Sequence, residues 1–528
     1  MRTDVVRTYK DIHSWVGIVA GLALFIAFYA GAITMFEEPL QRWASPPTEL
    51  FEPVPLDRTP ALIAKVLAEH PEARTAYRVH LATGPEQPAR VSWTTGDRRN
   101  PGPTYYASLA ADRALQVSTR EPSPVAQLVD ILHQQVGLPF PHEIAMPIMG
   151  TIALLYAVAL ISGVICLLPS LIKDLFALRF GRNLKRMWLD LHNVLGLFSL
   201  PFHIVMALTA VIFAFHDQFY DVQRAVQNIG AAPQTEQAGR SRGGPKPHPP
   251  ELGAVTQGVL PPAELVRRVE DEMPGFRLSM ISYEYNAEEG PHGHIQGNDP
   301  RYGLRGPTYG LGEVDTRTGK IIEGDYLPGK QGPWFATISS FFAAHFGNYG
   351  GAPVRWSYFI LGLAGAFLFY TGNLLWIESR RKKERKAGPV EQTRSTRILG
   401  ALTVGVPLGC MAGISLTVAA AKPLGIAATE TIHSLIYYGA FLAIVGWALL
   451  RGAARAGVEL LYVAAASMFA VPLATLLSAP HHPATVLFVD ATAVVAAVIL
   501  LWAARASRRR STAGPRDSVW AQAGAVSS

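Results

Sequence analysis

Long apolar runs alternate with polar stretches along this chain of 528 residues. We count eight such runs, near residues 14–36, 146–168, 191–215, 356–377, 398–420, 431–450, 457–478 and 484–504. Each run is close to the roughly 20 residues with which an α-helix crosses the hydrocarbon core of a bilayer. The pattern therefore predicts an α-helical polytopic membrane protein with about eight transmembrane helices.

Two polar inserts separate the early runs, and each follows the same plan of one helix and then alternating strands. In the first insert the helix is predicted over 60–69 and the strands over 76–81, 89–94, 104–109 and 114–119. In the second the helix is predicted over 262–273 and the strands over 278–285, 308–314 and 320–323. Residues 230–253, rich in Pro, Gly and Ser, read as a linker. We expect two α+β domains.

Basic residues stand at every second boundary of the apolar runs, as the positive-inside rule requires of cytoplasmic loops. They lie before the first run, between the second and third, and after the fourth, sixth and eighth. Both termini are therefore expected in the cytoplasm and both inserts in the periplasm. The expected division is 1–36 (helix 1), 37–141 (first domain), 142–216 (helices 2 and 3), 217–344 (linker and second domain), 345–378 (helix 4), 379–397 (basic loop), 398–505 (helices 5 to 8) and 506–528 (tail).

Composition supports a membrane protein, and missing sequence motifs limit the cofactors that we expect it to bind. Only 16% of residues are charged, against about 25% in an average soluble protein. No glycine fingerprint of a dinucleotide-binding fold occurs, so NAD(P)H binding is not expected. No Cys-x-x-Cys-His occurs either, so any haem would be held by ligation alone. We expect a lipid bilayer as partner and no nucleic acid.

The third apolar run carries two histidines, His192 and His203. On one straight helix, eleven residues correspond to about 16 Å along the axis and about 20° around it. Two imidazoles would then share one helix face at two depths, which is the arrangement that two stacked haems require. The alternative is a pair of histidines that form hydrogen bonds between helices.

Distance from the basic boundaries predicts which histidines share a depth. His13 and His192 each lie six residues beyond an arginine, or about 9 Å along a helix, which predicts an inner pair. His203 and His433 lie about 25 and 27 Å from their boundaries. His345 is nominally farther, but glycines at 347–351 predict a break in the helix there. His133 precedes the second run at the same outer face.

Several short motifs together resemble the PepSY-associated transmembrane family. They are His13-Ser-Trp-Val-Gly17, Leu132-His133, Ser162-Gly163, Asp190-Leu-His-Asn193, Leu200-Pro-Phe-His203 and His345-Phe-Gly347. Longer members resemble inner-membrane haem proteins that reduce ferric siderophores in the periplasm. Cys166 lies close behind Ser162-Gly163, where similar long members often carry a histidine. The resemblance favours His345 or His133 as partner of His203, whereas the depth comparison favours His433; we favour His345 slightly.

Two functions follow from these observations. The first is a di-haem b-type electron conduit and ferric-chelate reductase for iron acquisition, with non-covalent haem iron bound by His13, His192, His203, His345, His133 and His433. Its partners would be a ferric siderophore or similar chelate and an unidentified donor, either a quinol or a cytoplasmic reductase. The second is a non-enzymatic anchor whose PepSY-like domains bind or restrain a periplasmic protein.

Histidines in the polar inserts are assigned lesser roles. The pair in His292-Gly-His294 has the spacing to chelate a metal ion, although the surrounding Gly, Pro and Asn residues predict a loop. We expect His70 and His80 on the surface of the first insert.

Overall fold

The computed structural model describes residues 3–46, 51–84, 87–96, 101–171, 184–216, 218, 249–286, 290–303, 310–478 and 484–522. The chain forms two compact units. The helical unit comprises Met1–Pro46, Pro122–Gln223 and Arg355–Ser528, and the sheet unit comprises Pro47–Glu121 and Arg224–Val354. Most of the expected linker 230–253 falls outside the described residues, which resume at 249.

The helical unit is built from long apolar helices. Its elements are α1 (Thr3–Thr34), α2 (Glu37–Ala44), α4 (Val125–Gln134), α5 (His142–Leu167), α6 (Leu184–Phe198), α7 (Leu200–Ala214), α11 (Gly351–Ala387), α12 (Arg394–Leu424), α13 (Glu430–Arg451), α14 (Ala453–Leu477) and α15 (Ala484–Ala513). Within the described residues, seven helices are long and apolar enough to span a membrane, and the bent pair α6–α7 passes the same test jointly. This supports a multi-pass membrane protein and gives eight spans if the bent pair is one.

The third predicted span is not a straight helix, and this part of the sequence analysis was wrong. Helices α6 and α7 meet at Ser199 with a bend of 70°. The Ser199 hydroxyl donates to the Leu195 carbonyl at the end of α6 (2.5 Å). Pro201 lies in the first turn of α7, where its missing N–H is tolerated. The 20° register inferred for His192 and His203 therefore does not apply.

Helices α1 and α12 form the interior of the helical unit. One buried cluster joins α1, α2, α4, α12 and α13 and includes Trp43, Leu132 and Tyr437. Large apolar side chains elsewhere point outward, with Leu450 85% and Leu476 81% exposed. Water disfavours so much exposed apolar surface, and hydrocarbon does not. The outward-facing residues thus match a lipid environment.

In the part of the sheet unit that the structure describes, eight strands form one antiparallel sheet in the order β4-β3-β2-β1-β5-β6-β7-β8. Its elements are α3 (Thr59–Glu69), β1 (Ala76–His80), β2 (Val91–Gly96), β3 (Pro101–Leu109), β4 (Leu115–Arg120), α8 (Leu252–Thr256), α9 (Pro262–Glu272), β5 (Arg277–Asn286), β6 (Gly290–Asn298), β7 (Gly310–Val314), β8 (Ile321–Tyr326) and α10 (Pro333–Phe346). The two inserts, treated above as separate repeats, join because β1 pairs with β5. Across that pair the rings of Tyr77 and Tyr283 stack at 4.9 Å.

Strand β6 was predicted as a loop because it is rich in Gly, Pro and Asn. The structure places it between β5 and β7, with pairing on both sides. A Cβ at Gly297 would lie 2.4 Å from the Arg277 carbonyl oxygen. Here glycine marks a close approach of neighbouring strands and not a turn.

The expected surface position of His80 was also wrong. His80 is buried in the sheet unit, and its Nε2 lies 2.8 Å from the Ser92 hydroxyl. Burial, together with the positive charges of Arg78 and Arg90, lowers the pKa of His80 to about 4. His80 is therefore a neutral residue of the sheet at physiological pH.

Candidate functional site

Two histidines from distant parts of the sequence meet inside the helical unit. His13 of α1 and His192 of α6 have ring centroids 6.1 Å apart, with 72° between the ring planes. The two residues are also the pair that the depth comparison grouped. The structure therefore brings together two imidazoles from helices α1 and α6.

Hydrogen bonds determine the tautomer of each ring. Nδ1 of His13 lies 2.8 Å from the Ala159 carbonyl oxygen, which can only accept, so this nitrogen carries the proton. Nδ1 of His192 lies 3.0 Å from the Thr371 hydroxyl. That hydroxyl donates its own proton to the Leu368 carbonyl (2.8 Å), so it accepts from His192. On both rings Nε2 is left with a lone pair. Metal-binding histidines have this arrangement, in which the second ring nitrogen donates to an oxygen.

His203 of α7 lies in an aromatic enclosure. It is fully buried, and the rings of Phe28, Tyr156 and Phe369 surround it with centroids at 5.5, 5.9 and 6.4 Å. The Tyr156 hydroxyl lies 2.6 Å from His203 Nδ1 and 3.2 Å from the His203 carbonyl oxygen. Both contacts are satisfied when Nδ1 donates to the hydroxyl and the hydroxyl donates to the carbonyl.

The other ring nitrogen of His203, Nε2, is buried and has no hydrogen-bond partner among the described residues. A buried polar atom without a partner is costly, by about 1–3 kcal/mol, so such atoms require an explanation. A bound metal ion would satisfy this lone pair.

Glycines make room for these rings. A Cβ at Gly365 of α11 would lie 2.5 Å from the Phe28 ring and 3.1 Å from His203 Cε1. A Cβ at Gly163 of α5 would lie 2.9 Å from His13 Cε1. Any larger residue would displace an imidazole or the ring beside it, so the glycines preserve space next to the histidines.

His133 of α4 contacts α1. Its Nδ1 donates to the Ala27 carbonyl (2.8 Å), and a Cβ at Gly31 would lie 2.7 Å from this nitrogen. Phe28, the next residue after Ala27, contacts the ring of His203. His133 and His203 thus reach the same turn of α1. That turn lies fifteen residues beyond His13, or roughly 22 Å along the helix.

These contacts lie within a recognisable family region. A family model described as the PepSY-associated TM region matches residues 11–379. The chain belongs to this family. A search of curated proteins finds no match. The matched region of this PepSY-associated TM protein includes His13, His133, His192, His203 and His345 and ends before His433.

Two of the candidate histidines, His345 and His433, have surroundings of their own. His345 lies in α10 of the sheet unit, where its ring packs against Phe346. The predicted break follows, since α10 ends at Phe346 and Gly347 has a left-handed φ of 60°. His433 is fully buried on α13, and neither of its ring nitrogens has a hydrogen-bond partner among the described residues.

Sequence reasoning missed the residues that orient the histidines. Tyr156 and Thr371 are polar side chains within apolar helices, a signal of function or of interhelical bonding. Each hydrogen bond spans a long separation in sequence, 47 residues to His203 and 179 to His192. The polar residues were visible in the sequence, but their partners were not.

Proposed function

We propose that this protein is an inner-membrane di-haem b-type electron conduit that reduces a ferric siderophore, or a similar ferric chelate, on the periplasmic side. The contact between His13 and His192 supports this proposal most strongly. Both rings commit Nδ1 to an oxygen acceptor and keep the lone pair of Nε2 for a ligand. Histidines that only pack would also form these two hydrogen bonds between helices, so it is the close approach of the two rings that favours a shared ligand.

The spacing of the inner pair suits one shared metal ion. Two imidazoles that shared one metal ion, each bound through a nitrogen at about 2.0 Å, would have centroids no more than roughly 6 Å apart. The observed separation is 6.1 Å. We assign His13 and His192 as the ligands of an inner haem.

The outer ligand on α7 is His203, whose Nε2 is buried and without a described partner. We choose His133 as its partner because both residues contact the same turn of α1. His345 and His433 are the alternatives.

Bound haem supplies a reversible one-electron couple between ferric and ferrous iron, with its potential set by ligands and surroundings. The chain's own residues orient the ligands and exclude water. The Ala159 carbonyl and the Thr371 hydroxyl fix the orientation of the inner imidazoles. Phe28 and Phe369 exclude water around His203 and so create a low-dielectric setting.

The proposed direction of transfer follows from the positive-inside pattern. The inner pair lies near the end of α6 that carries Lys185 and Arg186, so this end faces the cytoplasm under the proposal. Asp517 of the C-terminal tail bonds Arg381 at the basic end of α11 (2.9 Å). The tail and this basic end therefore share one side. Electrons enter at that side, from a donor that this chain does not contain, and leave through the periplasmic side.

A reoxidation experiment tests the function. The purified protein is reduced with dithionite under anaerobic conditions and mixed with a ferric hydroxamate siderophore in a stopped-flow spectrometer. We expect the visible bands of the reduced protein to return to the oxidised form as ferrous iron appears, one electron for each iron. The matched control replaces iron in the same chelate with gallium, which has no accessible divalent state. Equal rates with iron and gallium would contradict the proposal.

A further inference from the structure

The sheet unit also holds a group of potential metal ligands of its own. On β6, burial alternates so that Gly293 and Ile295 face the core while His292 and His294 lie half-exposed on the opposite face. Alternate residues of a strand share a face. The centroids of the two imidazoles are 5.7 Å apart.

The neighbouring strand adds a carboxylate. Glu284 of β5 stands opposite His292 in the register of the β5–β6 pair. Its Oε2 lies 3.8 Å from His294 Nε2. One donor atom from each of the three residues lies within 4.8 Å of the other two. The three side chains therefore converge on one point above the sheet.

Packing beneath the strand fixes the two histidine backbones. A Cβ at Gly293 would lie 2.9 Å from Thr316 Cγ2, so β6 sits closely against the residues that follow β7. Ile295 and Val314 are completely buried below it. His292 Nδ1 lies 3.3 Å from the Gly290 carbonyl oxygen, to which it donates, and this contact leaves Nε2 for a ligand.

We propose that Glu284, His292 and His294 bind a divalent first-row transition-metal ion, with Zn²⁺ as the representative ion. Two imidazoles and one carboxylate are a set that such ions accept, with further positions open to water. Ligands at about 2.0–2.1 Å in a tetrahedron have donor atoms about 3.4 Å apart. The observed 3.8 Å between Glu284 and His294, and the limit of 4.8 Å for all three pairs, exceed this spacing, so the side chains would rotate toward a bound ion.

The surroundings of the site are mixed in charge. Glu313 of β7 stands opposite His294 and adds a carboxylate on the same face. Arg78 of β1 pairs with Ser282 of β5, and Ser282 pairs in turn with His294 of β6. Arg78 therefore lies two strands away from His294. The guanidinium of Arg317 also lies on this side of β6, since its Nη2 would be 3.4 Å from a Cβ at Gly290, so both signs of charge surround the three ligands.

Zinc titration tests this site independently of haem. The full chain, purified with an affinity tag that lacks histidine and stripped with EDTA, is titrated with Zn²⁺ by calorimetry. We expect one ion per chain at this site. Glu284→Gln, His292→Asn and His294→Asn should each weaken binding at least about tenfold, because losing a ligand costs no less than losing a residue that orients one.

His70→Asn is the matched control. His70 also pairs with a glutamate on the sheet unit, since its Nδ1 lies 3.0 Å from Glu72 Oε1. Its replacement should leave zinc affinity unchanged. Melting temperatures in EDTA show whether each variant folds, and only the wild type and His70→Asn should gain stability on adding zinc. Equal zinc affinity in folded Glu284→Gln, His294→Asn and the wild type would overturn the proposal and leave an ordinary ion pair.

Discussion

Replacement of His192 by alanine is expected to reduce the haem content from two per chain to one. His192 is one of two inner ligands under the proposed function, and alanine provides no donor atom. The ring of His13 alone would remain beside the site, with its Nδ1 bonded to Ala159. The outer haem should stay, because the contacts of His203 come from Phe28, Tyr156 and Phe369 and not from His192. Haem is counted by the pyridine haemochrome assay against protein concentration.

Thr371→Val is the graded control for this change. It removes the hydroxyl that accepts from His192 Nδ1 but keeps the imidazole and nearly the same side-chain volume. Loss of a residue that orients a ligand costs roughly 10- to 100-fold in metal affinity, so Thr371→Val should lower haem affinity without removing the binding site. A haem content that stays at two per chain in folded His192→Ala would contradict the ligand assignment.

Replacement of His203 by alanine is expected to abolish electron transfer to the ferric chelate while the inner haem remains reducible. In stopped flow after dithionite reduction, the reoxidation rate should fall at least about tenfold, because the outer cofactor loses its ligand on α7. His13→Ala should have the opposite pattern, with impaired reduction by the physiological donor and continued transfer from a chemically reduced outer haem. Equal reoxidation rates in His203→Ala and the wild type would show that electrons do not leave through this site.

A pair of glycine variants separates the space around His203 from its ligand atom. Gly365→Ala leaves the imidazole in place but puts a Cβ 3.1 Å from His203 Cε1 and 2.5 Å from the Phe28 ring. Gly372→Ala, two turns further along α11, puts a Cβ at an ordinary 3.7 Å from His192 Cε1. Both substitutions raise helix propensity equally, so a difference between the two variants reports the crowding of His203. Only Gly365→Ala should reduce the outer haem content.

The partner of His203 is identified with the same assay. His133→Ala, His345→Ala and His433→Ala are compared for haem content, and the variant that reproduces the spectrum of His203→Ala identifies the second ligand. We expect this result for His133→Ala. The same result for His345→Ala or His433→Ala, with His133→Ala retaining both haems, would replace His133 in the assignment and leave the conduit intact.

Periodicity predicted most of the fold because each segment carries its own pattern. The eight apolar runs correspond to α1, α5, α6–α7, α11, α12, α13, α14 and α15. Seven of the eight strands were predicted within a few residues, and the helices α3 and α9 were too. Strand β6 was not predicted because its glycines are required by close contacts with neighbouring strands, such as the contact with the Arg277 carbonyl. A short stretch of sequence does not reveal such contacts.

The site was predicted less completely, because its geometry depends on tertiary contacts. Helix rise suggested that His13 and His192 share a depth, and the structure places their rings 6.1 Å apart. Their role as haem ligands stays a prediction. The bend at Ser199 invalidated the register between His192 and His203, since a straight helix had been assumed. Tyr156 could not be assigned to His203 from sequence, because their hydrogen bond joins different helices.

The visible spectrum of the purified wild-type protein, expressed with ample haem, tests the central claim most directly. The account predicts a Soret band and an α band typical of b-type haem, both shifting on reduction with dithionite, and about two haems per chain by the pyridine haemochrome assay. A colourless, folded protein would contradict the conduit. The paired histidines would then be packing residues of a membrane anchor.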